Sequence, residues 1–253
     1  MRCHRGTVLA VTPVVLVPWR ADNGQRSDIW AYTRKQIWGL RHPGWPIVEG
    51  VAPDGPFNRS AAINAAAETA GDWDVAVIAD SDTFTERRSL LRAVDAAVRY
   101  PTRLWLPYEQ RKRVLLSQQY TEDLLDGSLG FNVQRATATG TLDPYEGYRS
   151  GVIVVHRSLW DTVGGFDERF VGWGGEDDAF ADTAAALADG WKWSTGNLYH
   201  LWHPPSRPDH NDPAFVANKS LAARYRCARE QRWSQGPGAA LALIHEPGGP
   251  RGQ

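Results

Sequence analysis

Cysteine and methionine are scarce in this sequence, which has two Cys and one Met among 253 residues. Cys3 and Cys227 lie at opposite ends of the chain and form no C-x-x-C pair. This usage excludes a disulfide framework and a thiolate zinc site, and it favours a reducing compartment. We therefore expect a cytoplasmic protein, of the producing or host cell.

Long apolar runs are also missing, since no stretch approaches the ~18–20 apolar residues of a membrane span. The N-terminus imitates a signal peptide, with Arg2 and Arg5 before the apolar residues 8–17. However, Pro13 interrupts the run, and Pro18-Trp19-Arg20 stands where a small-residue cleavage site would be. The segment therefore predicts a first β-strand, in a soluble chain without a membrane span.

Neither sign of charge is in excess: 28 Lys and Arg face 29 Asp and Glu, so the net charge is -1. A strongly basic nucleic-acid binder is not indicated by this sum, although the sum hides local patches. Hydrophobic residues at 42% and charged residues at 23% are typical of a globular chain. The 12 Trp are unusual, and because indole faces stack on sugars and bases, they favour a site that binds rings.

Strand and helix patterns alternate along the chain, which predicts one α/β domain with a mostly parallel, nucleotide-binding sheet flanked by helices. The domain is expected over residues 1–232, followed by a Gly- and Pro-rich, disordered tail over residues 233–253. The predicted strands are 14–17, 46–51, 74–79, 103–106, 150–156 and 193–201. The predicted helices are 27–40, 58–70, 86–100, 118–125, a short one near 159, 176–189 and 214–232.

Asp80-Ser81-Asp82 follows a predicted buried strand, the place where open α/β sheets bind ligands. Two carboxylates there can hold a hard divalent cation together with the ribose or diphosphate of a nucleotide. Asp-rich turns and caps are also common after strands, so the motif alone leaves both interpretations open.

His200 and His203 follow the last predicted strand and offer two imidazoles three residues apart. With a carboxylate they complete a nitrogen and oxygen ligand set that suits manganese or a similar transition ion. Judged in isolation, at least one of the two is expected to be a buried, hydrogen-bonded core histidine instead.

Arg20, Phe57 and Arg59 are placed to hold a nucleotide. Arg20 follows the first strand, and Arg59 stands at a helix start, where a guanidinium and free amide groups suit a diphosphate. Phe57 offers a face for stacking on a nucleobase. Later in the chain, a glycine-rich loop delivers Glu176-Asp177-Asp178 to the first turn of a helix, where favourable interaction with the helix dipole is the simpler explanation.

Four motifs, taken in order, resemble the β-1,4-galactosyltransferase family and its neighbours among GT-A glycosyltransferases. They are Phe57-Asn58-Arg59, Asp80-Ser81-Asp82, Gly164-Gly165-Phe166 and Trp173-Gly174-Gly175-Glu176-Asp177-Asp178. The last is a specific signature, whereas the Asp-x-Asp is not. The resemblance covers residues 14–203 and implies a GT-A fold, a UDP-sugar donor and a manganese ion.

The resemblance also implies a role for each matching residue. His200 departs from the family, because the galactosyltransferases carry Met at its position. The implied metal ligands are Asp82, His203 and, if it points inward, His200; the implied nucleotide contacts are Arg20, Phe57, Arg59, Asp80 and Ser81. Trp173 lines the donor and acceptor pocket, Glu176 and Asp178 contact the acceptor, and Asp177 is the general base.

An acceptor hydroxyl is a poor nucleophile, so a carboxylate at Asp177 would take its proton during attack on the anomeric carbon. Direct displacement inverts that centre, and a related retaining family has Asn at this position, so the residue type predicts an inverting enzyme.

The acceptor stays open between a saccharide or glycolipid and, by resemblance to viral transferases, a hydroxymethylated pyrimidine in DNA. Three basic clusters could follow a phosphate backbone, although each taken alone fits a solvated helix face better: Arg87-Arg88, Arg111-Lys112-Arg113 and Arg224-Tyr225-Arg226. The alternatives to an enzyme of this kind are a non-catalytic nucleotide- or sugar-binding module and a nucleotidyltransferase. A nucleotidyltransferase is less favoured, because this sequence has no glycine-rich phosphate loop immediately after the first strand.

Overall fold

The computed structural model describes residues 11–22, 24–145, 147, 149–204 and 211–236. Within them the chain forms ten β-strands, eight α-helices and one π-helix. The strands are β1 (Val14–Pro18), β2 (Ile47–Gly50), β3 (Val75–Ala79), β4 (Thr83–Thr85), β5 (Leu104–Leu106), β6 (Arg113–Leu115), β7 (Thr141–Leu142), β8 (Val152–His156), β9 (Trp191–Trp193) and β10 (Leu198–His200). The α-helices are α1 (Gln25–Tyr32), α2 (Arg59–Thr69), α3 (Arg87–Arg99), α4 (Gln118–Leu125), α5 (Val133–Thr139), α6 (Arg157–Val163), α7 (Glu176–Leu187) and α8 (Pro213–Gln235); the π-helix spans Thr33–Gly39.

A six-stranded sheet of order β2-β1-β3-β8-β5-β9 forms the centre of the molecule. Continuous apolar sequence places β1 and β3 in its interior, where every residue of both strands is buried. Three of its five pairings are parallel, and β8 runs antiparallel to both β3 and β5. The predicted α/β class is confirmed, but the sheet is mixed, because the chain returns through β8 in the opposite direction after forming β6 and β7.

A second, four-stranded sheet of order β4-β10-β6-β7 lies beside the first. The predicted strand over residues 193–201 is wrong in extent, since it divides into β9 of the central sheet and β10 of the second. The division falls at Gly196, whose φ of +98° is a left-handed conformation that favours glycine. β4, which begins one residue after Asp82, was not predicted, because three residues between a turn and a helix give no periodicity.

Local helix signals in the sequence act as expected. Asn58 caps α2 by accepting a hydrogen bond from the amide of Ala61 at 2.9 Å, and α4 has the predicted bounds. The helix predicted over 27–40 is interrupted, because α1 gives way to the π-helix at Thr33.

The last helix, α8, extends to Gln235, three residues beyond the predicted end at 232.

Some sequence-based predictions fall outside the described residues. They concern Arg2, Cys3 and Arg5 at the N-terminus and the tail beyond Gly236. Among the described residues, no helix combines the length and the apolar character that crossing a membrane requires.

Candidate metal and transfer site

The predicted metal ligands converge because two sheets meet at the Asp-x-Asp turn. β3 ends just before Asp80, and the antiparallel pairing of β4 with β10 sets His200 opposite Thr83. His200 Nε2 lies 3.7 Å from Asp82 Oδ1, and His203 Nε2 lies 3.1 Å from Asp82 Oδ2. One ligand atom from each of the three residues lies within 4.8 Å of the others. The structure therefore brings Asp82, His200 and His203 together as a candidate metal site.

The donor atoms of this cluster fit a divalent transition ion. His203 Nδ1 is 2.9 Å from the carbonyl oxygen of Pro204, and the approach of Arg26 to the same nitrogen is longer, at 3.4 Å. In the tautomer that metal-binding histidines adopt, Nδ1 donates to that carbonyl and Nε2 offers its lone pair to a cation. One carboxylate and two imidazoles make the mixed oxygen and nitrogen set that suits manganese or a similar ion.

Metal binding requires an ionised carboxylate and neutral imidazoles, and the pKa shifts of Asp82 and His200 meet this requirement. Burial raises the pKa of Asp82, but His200 and His203 outweigh it, so the net shift is downward. Burial lowers the pKa of His200 to about 4, which makes this ring neutral at pH 7. The hydrogen bond to Asp82 raises the pKa of His203.

Arg59 connects the Asp-x-Asp turn with the start of α7. Its Nε donates to Asp80 Oδ1 at 2.7 Å, and its Nη1 donates to Asp177 Oδ1 at 2.6 Å. Glu176 Oε1 lies 3.6 Å from the same Nη1. The remaining nitrogen, Nη2, is buried and has no hydrogen-bond partner among the described residues. A buried donor without a partner calls for an explanation, and an anionic ligand provides one.

The three carboxylates around Arg59 share the same electrostatic pattern. Burial raises the pKa of Asp80, of Glu176 and, most strongly, of Asp177. In each case the positive charge of Arg59 acts in the opposite direction. Asp177 therefore has a stronger proton affinity than an exposed aspartate, while its ion pair favours the ionised form.

Arg20 and Phe57, both predicted to bind the nucleotide, are in contact. The Arg20 guanidinium lies 5.3 Å from the centre of the Phe57 ring. Arg20 also donates to the carbonyl oxygens of Gly55 at 2.6 Å and Pro53 at 2.7 Å, so it holds the loop that carries Phe57. The Phe57 carbonyl accepts from the amide of Gly172 at 3.0 Å, which joins this loop to the glycine-rich loop before Asp177.

Trp173 lies on the glycine-rich loop, four residues before Asp177, with 55% of its surface exposed. Its ring centre is 5.8 Å from that of Phe215 on α8. The side chain of Asn218 donates to the carbonyls of Val171 at 3.0 Å and Trp173 at 3.1 Å. The sequence analysis missed Phe215 and Asn218, because nothing local in the sequence indicates that α8 packs on this loop.

Asp178 is held by an arginine that the sequence analysis also missed. Arg149 Nη2 lies 2.7 Å from Asp178 Oδ1, and Arg149 Nη1 lies 2.8 Å from Asp182 Oδ1. Arg229 on α8 contacts the same oxygen of Asp182 at 2.8 Å. The roles predicted for Glu176 and Asp178 toward an acceptor stay predictions, and the structure shows each carboxylate beside an arginine.

A large groove lies elsewhere, between α2 and α6, with a volume of about 1120 Å³. Its lining includes Asn64, Glu68, Trp73, Trp160 and Gly165. None of the predicted site residues lines it. The convergence of metal ligands, arginine and carboxylates, rather than the size of a cavity, therefore locates the candidate site.

Comparisons with known proteins bear on the family resemblance and on the fold. The family model described as the N-terminal domain of galactosyltransferase matches residues 133–192. A search of curated proteins finds no significant match.

Among solved structures, a mutant of Drosophila β-1,4-galactosyltransferase 7 in complex with manganese, UDP-Gal and xylobiose is similar, with a TM-score of 0.50 and 17% identity. That match covers 83% of this chain and 78% of the other. GalNAc-T7 with UDP, GalNAc and Mn2+ aligns with a TM-score of 0.49 and 12% identity, over 92% of this chain and 47% of the other. The family-model match and the shared fold confirm the predicted GT-A fold and the resemblance to the β-1,4-galactosyltransferase family.

Proposed function

We propose that this chain is a divalent-metal-dependent, inverting glycosyltransferase that moves a sugar from a UDP-sugar to a hydroxyl group of a saccharide. The observation that carries the proposal is the bridge made by Arg59, at 2.7 Å to Asp80 and 2.6 Å to Asp177. One guanidinium joins the aspartate next to the candidate metal cluster to the carboxylate at the start of α7. The leaving diphosphate would lie at the Asp80 end of this bridge, beside the metal, and the general base is Asp177 at the other end.

On the donor side, Asp82, His200 and His203 would hold the cation. A bound divalent cation neutralises charge that develops on the leaving diphosphate. The unpartnered Nη2 of Arg59 adds a buried donor for a phosphate oxygen, and Phe57 offers a ring face for the uracil. The manganese and UDP-Gal bound to the Drosophila enzyme, which shares this fold, support a donor and a metal of these classes.

On the acceptor side, Asp177 takes the hydroxyl proton while the hydroxyl oxygen forms its bond to the anomeric carbon. The bond from that carbon to the UDP oxygen breaks on the opposite face, so the configuration inverts. Arg59 holds Oδ1 of Asp177, which leaves Oδ2 for the proton. The raised pKa of Asp177, caused by burial, increases the proton affinity of the base.

A saccharide is the acceptor class that the exposed aromatic surface favours. Trp173 presents an exposed indole beside Phe215, and aromatic faces of this kind pack against the apolar faces of sugar rings. The xylobiose in the Drosophila complex supports the same class.

One residue of each basic cluster is engaged within the protein, while Arg88, Arg111 and Arg226 are exposed. Arg113 pairs with Asp143 at 2.7 Å, and Arg87 donates to the carbonyl of Arg41 at 2.8 Å. Tyr225 is buried and donates to Asp167 at 2.6 Å. Side chains that are engaged within the protein are poorly placed to follow a phosphate backbone.

The test is a UDP-release assay with manganese and a panel of UDP-sugars, in the presence of xylobiose, other simple saccharides or hydroxymethylated DNA. We expect release that requires both the metal and a saccharide, and NMR of the product should show an inverted anomeric centre. Release only with DNA would replace the acceptor proposal, and a retained configuration would remove the mechanism. UDP binding without release under every condition would make the chain a binding module.

A further inference from the structure

Among the described residues, four hydrogen bonds of 3.2 Å or less hold the backbone of the Asp-x-Asp turn, beside a longer one of 3.5 Å from Thr83 Oγ1 to the Asp80 carbonyl. Three of them come from backbone groups around the turn: Asp80 N to Gly151 O at 2.9 Å, Thr83 N to Asp80 O at 3.2 Å, and Leu201 N to Asp82 O at 2.9 Å. The fourth comes from a side chain on another element, because Thr33 Oγ1 donates to the carbonyl oxygen of Ser81 at 2.6 Å. Ser81 is the middle residue of the turn, so this contact fixes the peptide that leads to Asp82.

Thr33 commits its hydroxyl to this contact. The side chain is fully buried, and a hydroxyl group has a single proton to donate. The carbonyls of Ile29 and Trp30 on α1 are also within reach, but at 3.1 and 3.3 Å. The distance of 2.6 Å to Ser81 is within the usual range for an O–H···O bond and is the shortest of the three.

The backbone around Thr33 is itself unusual. Thr33 is the first residue of the π-helix, at the point where α1 ends. Turns of π-helix are rare and occur often at functional sites. The wide turn thus begins at a residue whose side chain reaches the Asp-x-Asp turn.

We propose that Thr33 is a positioning residue for the metal site, an inference that rests on the proposed metal-dependent function. The Ser81 carbonyl belongs to a rigid peptide plane whose other end is the amide of Asp82. Rotation of that plane changes φ of Asp82 and therefore the direction of its carboxylate relative to His200 and His203. The Thr33 hydroxyl prevents this rotation and holds the three ligands in register.

The experiment measures Mn2+ binding directly, by the loss of the free-ion EPR signal, in the absence of nucleotide and acceptor. Thr33→Val keeps the side-chain shape and removes the hydroxyl, so we expect the dissociation constant to rise about tenfold, as for other groups that orient metal ligands. Thr33→Ser retains the donor and should bind Mn2+ as the wild type does. If the valine variant does not fold, Thr33→Cys replaces the hydroxyl with a much weaker donor.

Thr85→Val is the matched control. Thr85 lies on β4, is also buried, and has a hydroxyl with no hydrogen-bond partner among the described residues. The control therefore makes the same change of side chain near the same turn without breaking a hydrogen bond. Wild-type affinity is expected for it.

Each outcome bears on one of the two proposals. Unchanged Mn2+ affinity in Thr33→Val, an equal loss in Thr85→Val, or no recovery in Thr33→Ser would overturn the positioning role while the metal site stands. Absence of Mn2+ binding to the wild-type protein would instead overturn the metal-dependent function and the inference with it.

Discussion

Arg59 and Asp177 form an ion pair of 2.6 Å between Nη1 and Oδ1, although they are 118 residues apart in the chain. The same guanidinium contacts Asp80 at 2.7 Å. The pair therefore ties the candidate base to the turn that carries Asp82, one of the three candidate metal ligands. Its electrostatic effect on Asp177 gives a direct test of that arrangement.

We expect Arg59→Gln to shift the acidic limb of the pH profile of kcat/KM toward higher pH. Burial raises the pKa of Asp177 and Arg59 opposes this shift, so loss of the guanidinium raises that pKa further. The base acts in its ionised form, and the shift should be about one pH unit or more.

The variant should also be less stable, by about 3–5 kcal/mol, because it leaves buried carboxylates without their partner. Arg92→Gln, which changes an arginine bonded to the hydroxyl of Thr195, is the control; an unmoved acidic limb in Arg59→Gln would contradict the role of the pair.

Asp177→Asn should lower the transfer rate by a factor of about 10²–10⁴, because the amide cannot accept the acceptor proton. UDP binding, followed by calorimetry, should be retained. Asp161→Asn changes an aspartate of α6 that pairs with Arg157, outside the site, and should transfer at the wild-type rate. Transfer by Asp177→Asn at the same rate would exclude Asp177 as the base.

His203→Ala should raise the Mn2+ concentration needed for half-maximal transfer by about tenfold or more, because it removes the ligand atom nearest to Asp82. His200→Ala tests in the same way whether the second imidazole is a ligand. The control is His156→Asn. His156 is the last residue of β8, at the end of the strand away from the Asp-x-Asp turn. Asparagine preserves the helix cap that His156 provides for α6. If both cluster variants keep the wild-type metal requirement, the cluster is not the metal site.

Trp173→Ala should raise the KM for a saccharide acceptor and leave the dissociation constant for UDP unchanged. The side chain is more than half exposed, so the free energy of unfolding should change by no more than about 0.5 kcal/mol. Trp173→Phe keeps an aromatic face and should restore most of the acceptor affinity. An equal loss of UDP and acceptor binding would show that the indole has no selective role toward the acceptor.

His42 should make the fold sensitive to acid. It is buried between Trp38 and Trp45, and burial lowers its pKa to about 4. Its value in the unfolded chain is near 6.5, so the unfolded state takes up the proton first as the pH falls. The stability that the neutral ring contributes is complete above about pH 6.5 and is lost as the pH falls toward 4.

The comparison with His42→Gln isolates this contribution from the buried carboxylates. Urea unfolding between pH 7 and pH 4 should show that the wild type loses up to about 3 kcal/mol more than the variant. Equal losses in the two proteins would mean that His42 does not control the acid sensitivity.

Local signals explain which predictions hold. The apolar run at β1, the cap at Asn58 and the glycine-rich loop before α7 act over a few residues, so each can be read from the adjacent sequence. The places where a predicted helix or strand is interrupted could not be predicted from the adjacent sequence. The π-helix and the separation of β9 from β10 depend on contacts with elements that are distant in the chain.

The sequence by itself determined the α/β class, the residue types of the site and their resemblance to a glycosyltransferase family. Tertiary structure alone decided which of these residues meet. Arg59 was expected to face a phosphate, and the fold sets it between Asp80 and Asp177. Likewise, only the pairing of β4 with β10 brings His200 to Asp82. The reason is physical: side-chain chemistry is a local property of the sequence, whereas a distance between residues far apart in the chain is set by how the sheets and helices pack.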